Sequence, residues 1–301
     1  MTASDLFSTP GRWFKGCLHV HSTVSDGDLT PDEVIDWYRQ RGYHFLALTE
    51  HDIWSEGRTI AGEFVTLSGV EVGGTDPQNG LFHLVGVGLD RPPDLDDGTR
   101  TSMQAAINRL REAGGRVIMA HPYWSGQSSA DLLDQVGCLG LEVYNGGCEV
   151  EDAKGFSTVH WDDLLAAGRR LWGLAVDDAH WRHGDRDAGL GWIWVKAAEL
   201  TSPAILAALE QGDFYASTGP EIHAFGLAGG RAHARCSPVT TIDFVGNGHL
   251  SHRVTAPSGE TLTEASCQIR PGQRYVRLAC QDAQGRWAWG NPIFLAGESR
   301  A

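Results

Sequence analysis

The feature that most constrains this chain is a recurring unit: a short, nearly continuous apolar run that ends in His, Asp or Glu. It appears as Leu18-His19-Val20-His21, as Phe45-Leu46-Ala47-Leu48-Thr49-Glu50-His51-Asp52, and as Phe64-Val65-Thr66-Leu67-Ser68-Gly69-Val70-Glu71. Leu81-Phe82-His83-Leu84-Val85-Gly86-Val87 carries its His inside the run, and Arg116-Val117-Ile118-Met119-Ala120-His121 ends in one. Leu141-Glu142-Val143-Tyr144-Asn145 and Leu171-Trp172-Gly173-Leu174-Ala175-Val176-Asp177-Asp178-Ala179-His180 follow, then Gly191-Trp192-Ile193-Trp194-Val195. Strands apolar along their length are covered on both faces, as parallel strands of α/β proteins are. A charged last residue places a site at their carboxyl ends.

Helical patterns separate many of these runs. Thr30-Pro31-Asp32-Glu33 reads as an N-cap, a first-turn proline and a capping box, and the helix it opens stops at Gly42. Further helices are expected near 100–113, 129–136 and 158–167, and from Ser202-Pro203 to Gly212. Strand and helix thus alternate about seven times, as in a (β/α) barrel. Periodicity alone does not separate a barrel from an open doubly wound sheet. The absence of Gly-x-Gly-x-x-Gly after the first strand, and of a P-loop, weighs against the common nucleotide-binding open sheets. Residues 1–13 read as a loosely held lead-in. After Gly219-Pro220 the helical period disappears, and short alternating runs such as Thr241–Val245, 251–254, 268–270 and 275–279 are separated by turn signals at Gly246-Asn247-Gly248, Pro257-Ser258-Gly259 and Pro271-Gly272. The expected layout is a first domain over 1–220 and a small antiparallel β unit over 221–301.

A formal charge of -14 argues against a nucleic-acid backbone or an anionic membrane as the main partner. It leaves room for a small phosphate ester, because bound metals invert a local potential. Cys17, Cys138, Cys148, Cys236, Cys267 and Cys280 include no Cys-x-x-Cys pair. With no apolar leader segment and no run of membrane length, the expected setting is the cytoplasm. Oligomeric state has no signature in the sequence.

The polar residues at the strand ends are His19, His21, Asp26, His51, Glu71, His83, His121, Asp178 and His180. Each is an acceptable ligand for a first-row divalent ion. A lone His-x-His pair is as readily two hydrogen-bonded histidines on a half-buried strand. A whole set at one end of successive strands is costly to bury unpaired, and metal ions are the usual solution.

This dispersed pattern, His19-x-His21-Ser22 with Ser25-Asp26-Gly27, Thr49-Glu50-His51-Asp52, Gly69-Val70-Glu71, His83, Ala120-His121-Pro122 and Asp178-Ala179-His180, resembles the PHP (polymerase and histidinol phosphatase) superfamily across residues 14–220. Trp161-Asp162-Asp163, Phe214-Tyr215-Ala216-Ser217-Thr218-Gly219-Pro220 and the β tail with Asn291-Pro292 look like its CehA/McbA-type metallohydrolase branch. Named members of that branch cleave aryl carbamate esters. The resemblance implies a distorted (β/α)7 TIM-like barrel with two or three divalent ions (Zn, Mn or Fe). The first ion would take His19, His21, Glu71 and Asp178. The second would share Glu71 and add His83 and His121, and the third would take Asp26, His51 and His180. Glu50 stands where the family more often has Asp, and Asp26 replaces a His used by some relatives.

Two ions sharing a carboxylate imply a bridging hydroxide that attacks phosphorus or a carbonyl carbon, so the expected function is a metal-dependent phosphoesterase acting on a small monoester or diester. The rivals are a carboxyl- or carbamate-ester hydrolase on the same metals and a non-catalytic metal-held scaffold; a DNA-trimming exonuclease is opposed by the net charge. Asp178, His180, Arg182 and His183 are the candidates for chemistry beside the metals. Tyr123, Trp124, Tyr144, Asn145, Arg182 and Arg186 are the candidates for the substrate pocket. Asp177 is a candidate acceptor behind a ligand histidine. A positive pocket from Arg182 and Arg186 would favour phosphate, and a dry aromatic one from Tyr123, Trp124 and Tyr144 would favour an ester.

Overall fold

The structure is a computed structural model that describes residues 4–5, 7, 10–60 and 62–295. It is a mixed α/β fold. The helix Pro31–Gln40 begins as its sequence dictates: Thr30 accepts from the backbone of Glu33, and Glu33 Oε2 accepts from Thr30 N at 2.8 Å. Such a cap contributes about 1 kcal/mol. The helix buries Val34, Ile35 and Tyr38.

Two sheets flank the strand carboxyl ends. One has the order Trp172–Val176, Cys138–Asn145, Arg116–Met119, Gly80–Val87, Gly69–Asp76. The other runs through Trp192–Ala197, Arg12–Cys17, Phe45–Ala47 and Phe64–Leu67, with parallel pairing among the last three. At the site end the two sheets are joined by single parallel bridges, Val20 with Ala179 and His51 with Glu71. No continuously hydrogen-bonded barrel closes among the described residues.

The expected alternation fails between residues 64 and 87. The apolar run there breaks at Ser68 into Phe64–Leu67 and Gly69–Asp76, and Gly69–Asp76 forms a hairpin with Gly80–Val87. Asp76 holds the turn by accepting from Gln78 N at 2.8 Å. A connection this short has no room for the crossover helix that parallel pairing needs, so Gly80–Val87 is antiparallel to Gly69–Asp76; its other neighbour, Arg116–Met119, also runs antiparallel to it. Gly73 lies opposite His83 in this hairpin, and a Cβ there would come within 2.9 Å of His83 Nε2.

Of the lead-in, residues 1–3, 6, 8 and 9 lie outside the described residues, as do residues 296–301. Ser4–Asp5 pairs with Ile222–Ala228, and Phe7 is buried. Beyond residue 220 the regular elements among the described residues are all strands, and there are more of them than the turn signals suggested: Ile222–Ala228, Arg231–Val239 and Trp287–Phe294 are added, and the run expected over 268–270 is instead the end of Leu262–Gln268, with Ile269 and Arg270 beyond it. Trp287–Phe294 pairs with Phe214–Ser217, so one ten-stranded sheet passes across residue 220. Asn291 fastens this seam: fully buried, it accepts from Gly173 N at 3.0 Å and donates to Gly212 O and Phe214 O. Among the described residues no helix is long and apolar enough to cross a membrane, and the six cysteines are free.

Candidate metal centre

Strand hydrogen bonding stops at Cys17, yet the alternation continues. Val20 enters the core, while His19 and His21 stay buried on the opposite side. The backbone of 176–180 holds them there: Asp178 N donates to His19 O at 2.9 Å, and His21 N donates to Ala179 O at 3.0 Å. The bridging strand ends therefore bring Asp178 to the histidine pair.

Glu71 lies at the middle of the cluster, 1% exposed. Its Oε2 is 3.2 Å from both His19 Nε2 and His21 Nε2 and 3.1 Å from His51 Nδ1. Its Oε1 is 2.7 Å from His83 Nδ1 and 3.3 Å from His121 Nε2. Asp178 Oδ1 is 3.1 Å from both His19 Nε2 and His21 Nε2. Beside this group, Asp26 Oδ1 faces His51 Nε2 at 3.7 Å and His180 Nε2 at 3.5 Å. Three sets of donors converge within 4.8 Å: His19, His21, Glu71 and Asp178; His51, Glu71 and His83; and His21, Asp26, His51 and His180.

Whether this set fits divalent ions is tested by its unpaired atoms. His19 Nε2 and Glu71 Oε2 are buried without a hydrogen-bond partner among the described residues, and they face each other. Ligand atoms about 2.0–2.1 Å from a tetrahedral ion lie roughly 3.3–3.4 Å apart, close to the spacings found here. Imidazole with carboxylate suits Zn, Mn or Fe, so the residues fit divalent metal.

A carboxylate not singled out from the sequence organises the outer layer. Glu142 accepts from His19 Nδ1 at 2.6 Å, from His121 N at 2.8 Å and from Asn145 Nδ2 at 2.8 Å. It thereby fixes the His19 tautomer that leaves Nε2 free for an ion. The available signal was an acid in the middle of an otherwise apolar strand. His180 is set in the same way, its Nδ1 donating to Asp178 O at 2.9 Å. Glu50, fully buried, accepts from the hydroxyls and backbone N–H groups of Ser22 and Ser25, which clamps the loop carrying His21 and Asp26. His121 and Asp178 adopt left-handed backbone, with φ of 27° and 55°. Such strain costs on the order of 1–3 kcal/mol per residue and persists where surroundings over-determine it.

Electrostatics follow from this crowding. Burial alone would lower the His19 and His21 pKa values, but the carboxylates of Asp178 and Glu71 outweigh it. His19 is held well above its ordinary value and His21 rises to about 9. Burial would raise Glu71 and Asp178, yet the histidines around them hold both carboxyls well below the usual range. Cys148 also lines the cavity, but burial pushes its thiol far up, so it is no nucleophile.

A cavity of about 200 Å³ opens over the cluster, lined by Asp26, His51, Glu71, His83, His121, Asp178 and His180 together with Trp124, Cys148, Glu151 and Arg182. Arg182 reaches Asp26 Oδ2 at 2.5 Å. His183 and Arg186 line a neighbouring cavity instead. The other expected pocket residues fall elsewhere. Tyr144 is turned into the core, its ring 5.0 Å from Phe156 and 6.1 Å from Trp289. Asn145 is buried beneath the site, donating to Asp178 Oδ2 at 3.1 Å and capping the helix Gly146–Asp152. Tyr123 is 45% exposed and borders neither cavity. Asp177 backs no histidine: it accepts from the Tyr38 hydroxyl at 2.6 Å and from the N–H groups of Gly189, Leu190 and Gly191.

No protein-family model matches the chain. It is 38% identical over 109 residues to a 3',5'-nucleoside bisphosphate phosphatase of Chromobacterium violaceum, covering 34% of this chain and 38% of that protein. It is 32% identical over 133 residues to a phosphoribosyl 1,2-cyclic phosphate 1,2-diphosphodiesterase of Eggerthella lenta, covering 39% of this chain and 50% of that one. The chain thus matches half or less of the length of these relatives. Its structure is similar to that of a two-domain protein from Bacteroides vulgatus containing a predicted PHP-like metal-dependent phosphoesterase, with TM-score 0.52, 15% identity and 95% of both chains covered. The chain thus shares the fold of this two-domain protein over nearly its whole length.

Proposed function

We propose that the chain is a metal-dependent phosphoesterase acting on a small phosphate monoester or diester. The observation that carries this reading is Glu71: one buried carboxylate whose two oxygens face separate groups of histidines, as a ligand shared between ions requires. We assign His19, His21, Glu71 and Asp178 to one ion, and His83 and His121 with Glu71 to a second. Asp26, His51 and His180 form a third position. Divalent ions held there would supply Lewis acidity, activating water and offsetting charge on phosphoryl oxygens. The chain's own part is positional. Glu142 and Asn145 orient the ligands from behind, and Trp124 lines the cavity. Arg182, paired with Asp26, places a guanidinium beside the substrate oxygens. The relatives' names, a bisphosphate phosphatase and a cyclic phosphodiesterase, support phosphate esters. The ester-hydrolase rival needs a dry aromatic mouth, and of its three aromatic residues only Trp124 faces the cavity. We further propose that the bridged strand ends form a distorted (β/α)7-type ring over 1–220 backed by a β unit over 221–301, of the CehA/McbA-type branch.

The test is elemental analysis of the purified protein together with hydrolysis of p-nitrophenyl phosphate, bis-p-nitrophenyl phosphate and p-nitrophenyl acetate, for wild type and His19→Ala. At least two divalent ions per chain are expected, with phosphoester turnover falling by roughly 100-fold or more in the variant. Turnover of the acetate alone would move the assignment to an ester hydrolase. Protein without metal or turnover after Mn or Zn is added would leave the scaffold.

A further inference from the structure

The ten-stranded sheet that crosses residue 220 has two different faces in the β unit. On one face Ile242, Phe244, Leu278, Cys280 and Ala288 pack into an apolar core of their own. The alternate residues form a row across four strands on the other face: Arg253 lies opposite Asp243, Asp243 opposite Ala279, and Ala279 opposite Trp289. Ala279 puts only a methyl group between a carboxylate and an indole, so the row is hollow at its middle. Phe156 and Asp162, the latter on the helix Thr158–Ala166, line the same hollow from the first domain. The cavity measures about 390 Å³ and shares no lining residue with the cavity over the metal centre.

Two ion pairs and an indole set its chemistry. Arg253 donates to both oxygens of Asp243, at 2.7 and 2.6 Å, and Arg277 donates to both oxygens of Asp162, at 2.6 Å each. The charges cancel pair by pair, so nothing here calls for an ionic ligand. The pairs are not saturated, however. Arg277 lines the cavity and is 4% exposed, and its Nη1 is buried with no hydrogen-bond partner among the described residues. A guanidinium nitrogen buried and unused is destabilising, and a ligand oxygen would relieve it. Each carboxylate also keeps lone pairs beyond those its arginine occupies. A wholly apolar occupant would strand these groups. Beside them Trp287 is half-buried and lies within 13° of parallel to Trp289, which is itself stacked at 23° on Tyr144. The lining thus combines a fixed aromatic platform with donors and acceptors held side by side. A sugar ring offers the complement: C–H groups on one flat face for the indole, and adjacent hydroxyls, each both donor and acceptor, for the carboxylate–guanidinium pairs.

We propose that this cavity at the seam of the two units is a binding site for a neutral saccharide of one or two rings, stacked on Trp287 with its hydroxyls on Asp243, Arg253 and Arg277. The volume lies within the range of small-molecule sites, roughly 300–1,000 Å³. The site uses none of the proposed metal ligands, so it stands or falls independently of the phosphoesterase reading.

The test is NMR titration of the full chain with methyl β-glucoside, methyl β-galactoside, methyl α-mannoside, cellobiose, maltose and lactose, with adenosine as a flat heterocyclic control. Saturable binding of at least one saccharide is expected, with a Kd of about 1 mM or below. Trp287→Ala should weaken it tenfold or more. Trp287→Phe, which keeps a ring, should weaken it less than threefold, and His19→Ala should leave it unchanged. Arg253→Gln, at a side chain 61% exposed, should weaken it at least threefold, and it decides the matter if melting curves show that Trp287→Ala does not fold. No saturation by about 20 mM for any saccharide would overturn the proposal. So would a Kd unchanged in the folded Trp287 and Arg253 variants, or a loss in His19→Ala alone, which would put the sugar in the metal cavity. Tighter binding of adenosine than of every saccharide would also overturn it, in favour of a heterocycle on Trp287.

Discussion

Glu142 is worth most attention at the scale of single residues, because one carboxylate there sets three things at once. It fixes the proton on His19, receives the strained backbone of His121, and holds the Asn145 amide that in turn meets Asp178. Replacing it with the near-isosteric amide in Glu142→Gln keeps the volume but removes the charge that raises His19 basicity. The expected result is metal affinity weakened by about 10–100-fold with stoichiometry retained, read by competition with a chromophoric chelator. An unchanged affinity would show that Glu142 only fills space.

At the scale of elements, the site depends on short segments held by buried acids rather than by regular pairing. Asp177 is fully buried and accepts hydrogen bonds from Tyr38 on one helix and from three successive backbone groups, Gly189 to Gly191. Burial raises its carboxyl pKa despite those donors. Asp177→Asn replaces one acceptor with a donor facing N–H groups, a loss of about 2–4 kcal/mol measured by urea unfolding. Because the Asp177 carboxylate hydrogen-bonds to none of the proposed ligands, metal content should be retained in the folded fraction. Loss of metal with unchanged stability would reverse this assignment. Serving as a clamp from behind, Asp177 resembles Glu50, which holds the opposite loop through Ser22 and Ser25.

For the whole molecule, the cluster couples stability to pH and to metal. Without metal, His19, His21 and His121 have raised pKa values. Their contribution is complete below the unfolded-state value of about 6.5 and is lost as pH rises through the folded values, about 9 for His21. Glu71 and Asp178 are depressed, so theirs is complete above about 4–4.5 and is lost as pH falls further. Chelator-treated protein should therefore melt highest near pH 5–6 and progressively lower from pH 6.5 to 9. Bound metal displaces those protons, so the stabilisation by added Mn or Zn should grow over the same interval. Melting curves at pH 5.5, 7 and 9, with and without metal, check both signs.

The sequence by itself determined the elements and the donors. Apolar runs ending in His, Asp or Glu are local facts, as is the Thr30–Glu33 capping box, because burial pattern and capping chemistry are set by neighbours in the chain. Tertiary structure decided the rest, because pairing partners lie far apart in sequence. Residues 69–87 form a hairpin rather than parallel strands because of a turn too short for a helix. Tyr144 left the mouth because Trp289, from a strand 145 positions away, offered its ring a packing surface. Glu142 gained its role only when His19 and His121 were brought to it. Composition and periodicity specify which groups a chain possesses; which of them meet is fixed by the packing of its distant parts.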